Sequence, residues 1–69
     1  MRLMVNSNEL RKAMVEKGYE LWRASVDSGL STASITNYLR RDQSVQRATA
    51  KKLRKTFGAQ VVYEVADES

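Results

Sequence analysis

Sixty-nine residues, with twelve Lys/Arg against eight Asp/Glu, a net charge of +4 and neither Cys nor His, allow one small domain held by side-chain packing alone. Disulfides and the usual zinc sites are excluded by that composition. No apolar run approaches the roughly 18 residues of a membrane span and no signal-peptide pattern opens the chain, so the expectation is a cytoplasmic protein with no membrane partner. Without His, Cys, a glycine-rich phosphate loop or a close carboxylate pair outside the acidic end, no enzyme, metal site, cofactor or small-molecule ligand is expected either.

The charge is unevenly spread. Seven bases fall between Arg40 and Lys55 with Asp42 the only acid among them, whereas Val61 to Ser69 holds Glu64, Asp67 and Glu68 and no base. A concentration of that kind suits a polyanion, although a plain solvated surface carries such charge as well.

In chain order, residues 1–6 alternate weakly and predict a short strand. Asn6 followed by Glu9 reads as a capping box for a helix over 7–17, with Leu10, Ala13 and Met14 inward and Gly18 as its stop. A second helix over 20–28 presents Leu21, Ala24, Ser25 and Ser28, small side chains that let another helix approach closely. Gly29 ends it, Leu30 plugs the corner, and Ser31 caps a third helix over 32–41. That helix is apolar at Ile35, Tyr38 and Leu39 and small or polar at Ala33, Thr36, Asn37 and Arg40. Residues 41–43 read as a loop. Ser44 then caps a fourth helix reaching Phe57, with Val45, Thr49, Leu53 and Phe57 four apart and Gly58 as its stop. Residues 60–66 read as a second strand through Val61, Tyr63 and Val65, and the acidic end over 67–69 is expected to fray.

The informative block runs from Tyr19 to Arg40. A short turn holding glycine sets two helices at roughly 90–120°, so that the second projects outward. The major groove of B-DNA, about 12 Å wide, admits one such helix, whose first residues then reach base edges. Thr32, Ala33, Thr36 and Asn37 are short groups of the kind that position demands.

Lys17-Gly18-Tyr19, Ser25, Gly29-Leu30-Ser31, Ile35 and Tyr38-Leu39 resemble the Cro/CI-type (phage repressor-like) helix-turn-helix DNA-binding family, as does the run Thr49-Ala50-Lys51-Lys52-Leu53 with Phe57-Gly58. The resemblance covers about Leu10 to Gly58. It implies a mainly α fold, a four- to five-helix bundle of the lambda-repressor-like type, here with short N- and C-terminal strands. It also implies a homodimeric transcriptional repressor, phage or bacterial, on a pseudo-palindromic operator of double-stranded DNA. Carried over residue by residue, Thr32, Ala33, Thr36, Asn37 and Arg40 would contact bases. Ser31, Arg41, Ser44, Arg47 and Lys51 would contact phosphates, with Arg54 and Lys55 solvated. The chain departs from the family at Leu21, where Gln is usual and braces a phosphate, at Ser25, where Ala is usual, and at Glu20, where Ser or Thr is usual.

Two readings stay open. Trp22 and Val26, spaced i, i+4, fall outside the inward set and form a candidate partner patch, unless a slight rotation of the helix lets Trp22 close the core. The end strands, carrying Val61, Tyr63 and Val65, either pair within the chain, the preferred reading, or pair across a two-fold axis as a dimer seam. A protein-interaction module, such as an antitoxin or anti-repressor, is the competing functional class.

Overall fold

The structure, a computed structural model, describes residues 1–66. It is mainly helical, with a small antiparallel sheet. In chain order the elements are β1 (Arg2–Val5), α1 (Ser7–Lys17), α2 (Leu21–Ser28), α3 (Thr32–Arg40), β2 (Gln43–Val45), α4 (Arg47–Phe57), a single 3-10 turn (Ala59–Val61) and β3 (Val62–Val65). The acidic end expected to fray, 67–69, lies outside the described residues.

The core is built from side chains that the helical spacing selects: Leu10 and Ala13 of α1, Ala24 of α2, Ile35 of α3, and Ala50, Leu53 and Phe57 of α4. Val5, Val61 and Val62 close it from the strand side. Phe57 is the largest buried side chain, and the Tyr19 ring meets it edge-on at 5.7 Å. Such an arrangement puts the positive edge of one ring on the negative face of the other.

The two end strands do pair within the chain, and a third joins them. β1 is the middle strand of the order β2-β1-β3, antiparallel to both neighbours. Arg2 lies opposite Val65, and Leu3 lies opposite both Val45 and Glu64. Residues 41–43 therefore are not simply a loop, and Ser44 does not cap the fourth helix. Gln43 to Val45 satisfies the second edge of β1 instead, and α4 begins at Arg47 behind Gln46, whose side chain makes no capping bond. Val45 accordingly sits in the sheet, and the inward face of α4 runs through Ala50, Leu53 and Phe57 rather than through Val45 and Thr49. A three-residue strand is too short to alternate visibly, so only its partner reveals it.

Val61, expected in the second strand over 60–66, is the last residue of the 3-10 turn and is fully buried, so it cannot belong to a partner surface; the strand itself starts at Val62. Its carbonyl accepts from Asn6 N–H at 2.8 Å, which fixes the chain's return beside the start of α1. That bond also takes the donor that a full capping box would have given to Glu9. Asn6 Oδ1 still accepts from Glu9 N–H at 3.1 Å, while Glu9 turns to Lys12. No helix of the described residues is long and apolar enough to cross a membrane.

One carboxylate ties three elements together. Asp42, just beyond α3, accepts from Ser7 N–H at the start of α1 (2.8 Å) and from the Tyr63 hydroxyl on β3 (2.7 Å). These bonds hold the Asp42 carboxyl below the usual carboxylate range, the Ser7 amide contributing most. The same carboxylate, by accepting from it, pushes the Tyr63 hydroxyl above its ordinary value. A lowered acid stabilises the fold above its unfolded pKa and ceases to do so as pH falls through the folded one. A raised phenol stabilises below its unfolded pKa and is lost as pH rises through the folded one. Stability from this tie is thus expected to hold between about pH 4 and pH 10 and to fall outside that window. In urea unfolding followed across pH, Asp42→Asn should cost about 1 kcal/mol or less near neutrality, because the site is exposed, and should flatten the acid limb. Tyr63→Phe should flatten the alkaline limb.

Candidate nucleic-acid interface

The corner between α2 and α3 is fixed by hydroxyls as much as by glycine. Gly29 adopts the left-handed conformation (φ 75°) and donates to Ser25 C=O at 2.9 Å, ending α2. Ser28 Oγ accepts from Leu30 N–H at 3.2 Å, and Ser25 Oγ donates to Leu30 C=O. The backbone groups that a tight corner leaves without helical partners are thereby satisfied. This is what Ser25 does at the position where alanine was the expected residue. Leu30 itself packs against the core, as expected.

Ser31 then caps α3: its Oγ accepts from Ser34 N–H at 3.1 Å and donates to Ser34 Oγ at 2.9 Å. Ile35 is fully buried, and Tyr38 and Leu39 pack against the core. On a nine-residue helix that anchoring leaves the opposite face outward, and Thr32, Ala33, Thr36, Asn37 and Arg40 are all exposed. The structure therefore brings the five expected reader residues onto one face. Among the described residues, no hydrogen bond or ion pair occupies the side chains of Thr32, Thr36, Asn37 or Arg40, so their donors and acceptors face solvent unspent.

The far end of α3 is held by side chains that sequence reasoning missed. Arg11 of α1 donates through Nη2 to Leu39 C=O, and Gln43 of β2 donates through Nε2 to Asn37 C=O. Both carbonyls belong to the last turn, where helical acceptors are unpaired and a cation is favoured by the helix dipole. Arg11 and Leu39 are 28 residues apart, and no local pattern marks such a pair. The helix ends one residue earlier than expected, with Arg41 already extended (φ −163°).

The residues expected at phosphates do not form one group. Ser44, Arg47 and Lys51 line a groove between α4 and the end of the sheet, whereas Arg41 lines a separate shallow hollow shared with Ser44 and Arg2. Ser31 stands apart at the start of α3 and is engaged in its cap. Arg54, expected to be solvated, is half-buried: Nη2 donates to Val62 C=O at a long 3.5 Å, and Nε is buried with no partner. Lys55 is exposed as expected. With no side chain capping it, the first turn of α4 keeps its amides open beside Arg47.

No protein-family model, no curated protein and no solved structure matches the chain. The geometry therefore stands on its own.

On α2, Ala24 and Ser28 face inward while Leu21 lies at the surface, contrary to its expected inward place. Trp22 is 61% exposed and Val26 71% exposed, so the helix is not rotated to bring Trp22 over the core. The indole N–H instead donates to Glu20 Oε2 at 2.6 Å. Tyr63 and Val65, also expected at a partner surface, are half-buried in the sheet. Among the described residues no cluster of three or more His, Cys, Asp or Glu could hold a metal ion.

Three substitutions at two positions test the corner. A Cβ at Gly29 would meet nothing within 4 Å, so Gly29→Ala should cost only the backbone penalty, roughly 1–2 kcal/mol. Gly29→Asn should cost less. Ser25→Ala should cost about 1 kcal/mol by leaving the Leu30 carbonyl unpaired. Urea midpoints of the three variants measure this order.

Proposed function

We propose that the protein is a sequence-specific, double-stranded DNA-binding regulator that lays α3 in the major groove. The observation carrying this reading is the exposed face of α3: five short or cationic side chains on a helix whose opposite side is locked into the core. A helix of nine residues is about 13 Å long, enough to cross the groove floor and reach three or four base pairs. Asn37 has the paired donor and acceptor that match adenine, and Arg40 those that match guanine or a phosphate. Thr36 and Ala33 suit thymine methyl groups. The tight corner, with Gly29 and the capping Ser31, agrees with the lambda-repressor-like, Cro/CI-type arrangement, and repression by promoter occupancy follows from that likeness. In this reading Arg41, Arg47 and Lys51 bind phosphates, together with the open amides of α4.

We also propose that it acts as a homodimer on a pseudo-palindromic operator, with two reader helices about 34 Å apart. The β1 pairing on both edges removes that strand as a seam, which leaves the Trp22–Val26 patch of α2 as the more exposed apolar surface. The same patch favours a second reading, a module whose main surface binds another protein, as an antitoxin or anti-repressor does. Trp22 and Val26 are exposed one helical turn apart, a spacing that lets a partner cover both at once.

Selection of bound sequences from random duplexes decides between the two. The DNA reading expects a two-fold symmetric motif, and recovery of no motif at physiological salt overturns it. On the selected duplex, Asn37→Ala should weaken binding roughly tenfold and random duplex much less, since a good bidentate contact contributes about 1–3 kcal/mol of discrimination. Lys51→Ala should weaken both alike and reduce the log–log salt slope by about 0.9. Equal losses for Asn37→Ala on the two duplexes would remove it as a base reader.

A further inference from the structure

An open groove of about 1160 Å³ lies between α4 and the sheet. Its sheet wall follows one rung across all three strands, where Leu3 lies opposite Val45 on one side and Glu64 on the other. Its helical wall is a single face of α4 running from Arg47 through Ala50, Lys51 and Arg54 to Lys55. The floor is apolar, formed by the half-buried Leu3 and Val45 with the core residue Ala50 beneath them. The rim is cationic, with Arg2, Arg47, Lys51, Arg54 and Lys55 against the single acid Glu64. Among the described residues none of these five bases takes an ion pair, unlike Lys12 and Arg23, which pair with Glu9 and Asp27.

We infer that this groove is a docking site for a short acidic amphipathic helix of a partner protein. Charge complementarity and the floor point to it together. A nucleic-acid backbone would satisfy the rim and leave the floor wet, because phosphates and sugars offer little to Leu3 and Val45. An amphipathic helix places apolar side chains on the floor and carboxylates at the rim. The stretch from Arg47 to Lys55 spans about 12 Å, room for roughly two helical turns. Arg54 adds a specific driving force. Its Nε–H is buried without an acceptor, a costly state for a charged group, and one long bond to Val62 holds it. A carboxylate at the rim that draws the guanidinium outward gives that donor a partner, in the two-pronged geometry that arginine favours. Because Arg47 and Lys51 are also proposed for phosphates, an occupied groove would compete with duplex for those two cations.

The test uses the full chain, labelled with ¹⁵N, and a short fluorescein-labelled peptide of glutamate, leucine and alanine that forms an acidic amphipathic helix. At about 0.15 M salt the peptide should shift the amide resonances of Leu3, Val45, Ala50 and Arg54 while leaving Thr36 and Asn37 in place. Replacing its leucines by serine should weaken binding tenfold or more, since burying each leucine accounts for about that factor. Arg2→Gln with Lys55→Gln should weaken it about fivefold, as two exposed pairs would, and Val45→Thr should weaken it with the thermal midpoint checked alongside. Asn37→Ala should leave it unchanged, so that failure of the DNA reading and failure of this one are separable. Equal binding of the serine peptide means charge alone and overturns the proposal. So do floor shifts caused by a duplex and not by the peptide, which would make the groove a nucleic-acid site. Concentration-dependent shifts without peptide would assign it to a second copy. Peptide binding that requires Asp67→Asn with Glu68→Gln would assign it to the chain's own end. Either result also overturns the proposal.

Discussion

Burial of Ile35 is the interaction on which the rest of the molecule's outward character depends. α3 is only nine residues long, and its rotation about its own axis is set by whichever side chain cannot leave the core. With Ile35 fully enclosed and Tyr38 and Leu39 beside it, the helix has no freedom to hide Thr36 or Asn37. The corner at Gly29 fixes the angle of approach, and the bonds from Arg11 and Gln43 pin the far end. A helix held at both ends and along one side presents its remaining side as a rigid surface, which is what recognition at fixed geometry requires.

The sheet has a different role from the one that short terminal strands usually suggest. With β1 between β2 and β3, the segment leaving α3 and the segment leaving α4 are stitched to the same strand. Asp42 reinforces this by reaching α1 and β3 at once. In a chain without cysteine, such cross-connections take the place of covalent staples. The basic groove lies between this sheet and α4, along the rung that holds Leu3.

Charge is divided along with shape. The exposed face of α3 carries little charge beyond Arg40, while the densest cationic surface lies along α4 and the sheet end. The proposed functions follow the same division. Discrimination is assigned to short neutral groups whose hydrogen bonds are directional, and attraction is assigned to long bases whose field is not. Trp22 and Val26 stand outside both surfaces, on the helix that packs against α3.

Much of the helical layout was legible in the sequence. Leu10, Ala13, Ile35, Leu53 and Phe57 fall at helical spacing, Asn6 and Ser31 announce helix starts, and Gly18, Gly29 and Gly58 announce stops; all of these depend on neighbours within a turn or two. The exposed set on α3 was legible for the same reason. β2 was not, since three residues carry no visible period and their partner Leu3 lies about forty positions away. Nor was the turn of Trp22 outward, which follows from Ala24 and Ser28 filling the space against α3 and α4. The buried Val61, the Arg11 bond to α3, the Asp42 tie and the apolar-floored groove were settled only when distant segments met. Sequence by itself determined that there are four helices, most of their ends and the buried faces of α1 and α3, because those are local properties of the backbone and its nearest side chains; it misplaced the start of α4 and the facing of Leu21, which distant partners set. Tertiary structure decided which polar groups are shared between elements and where a cavity is left over, because both depend on contacts that chain order does not encode.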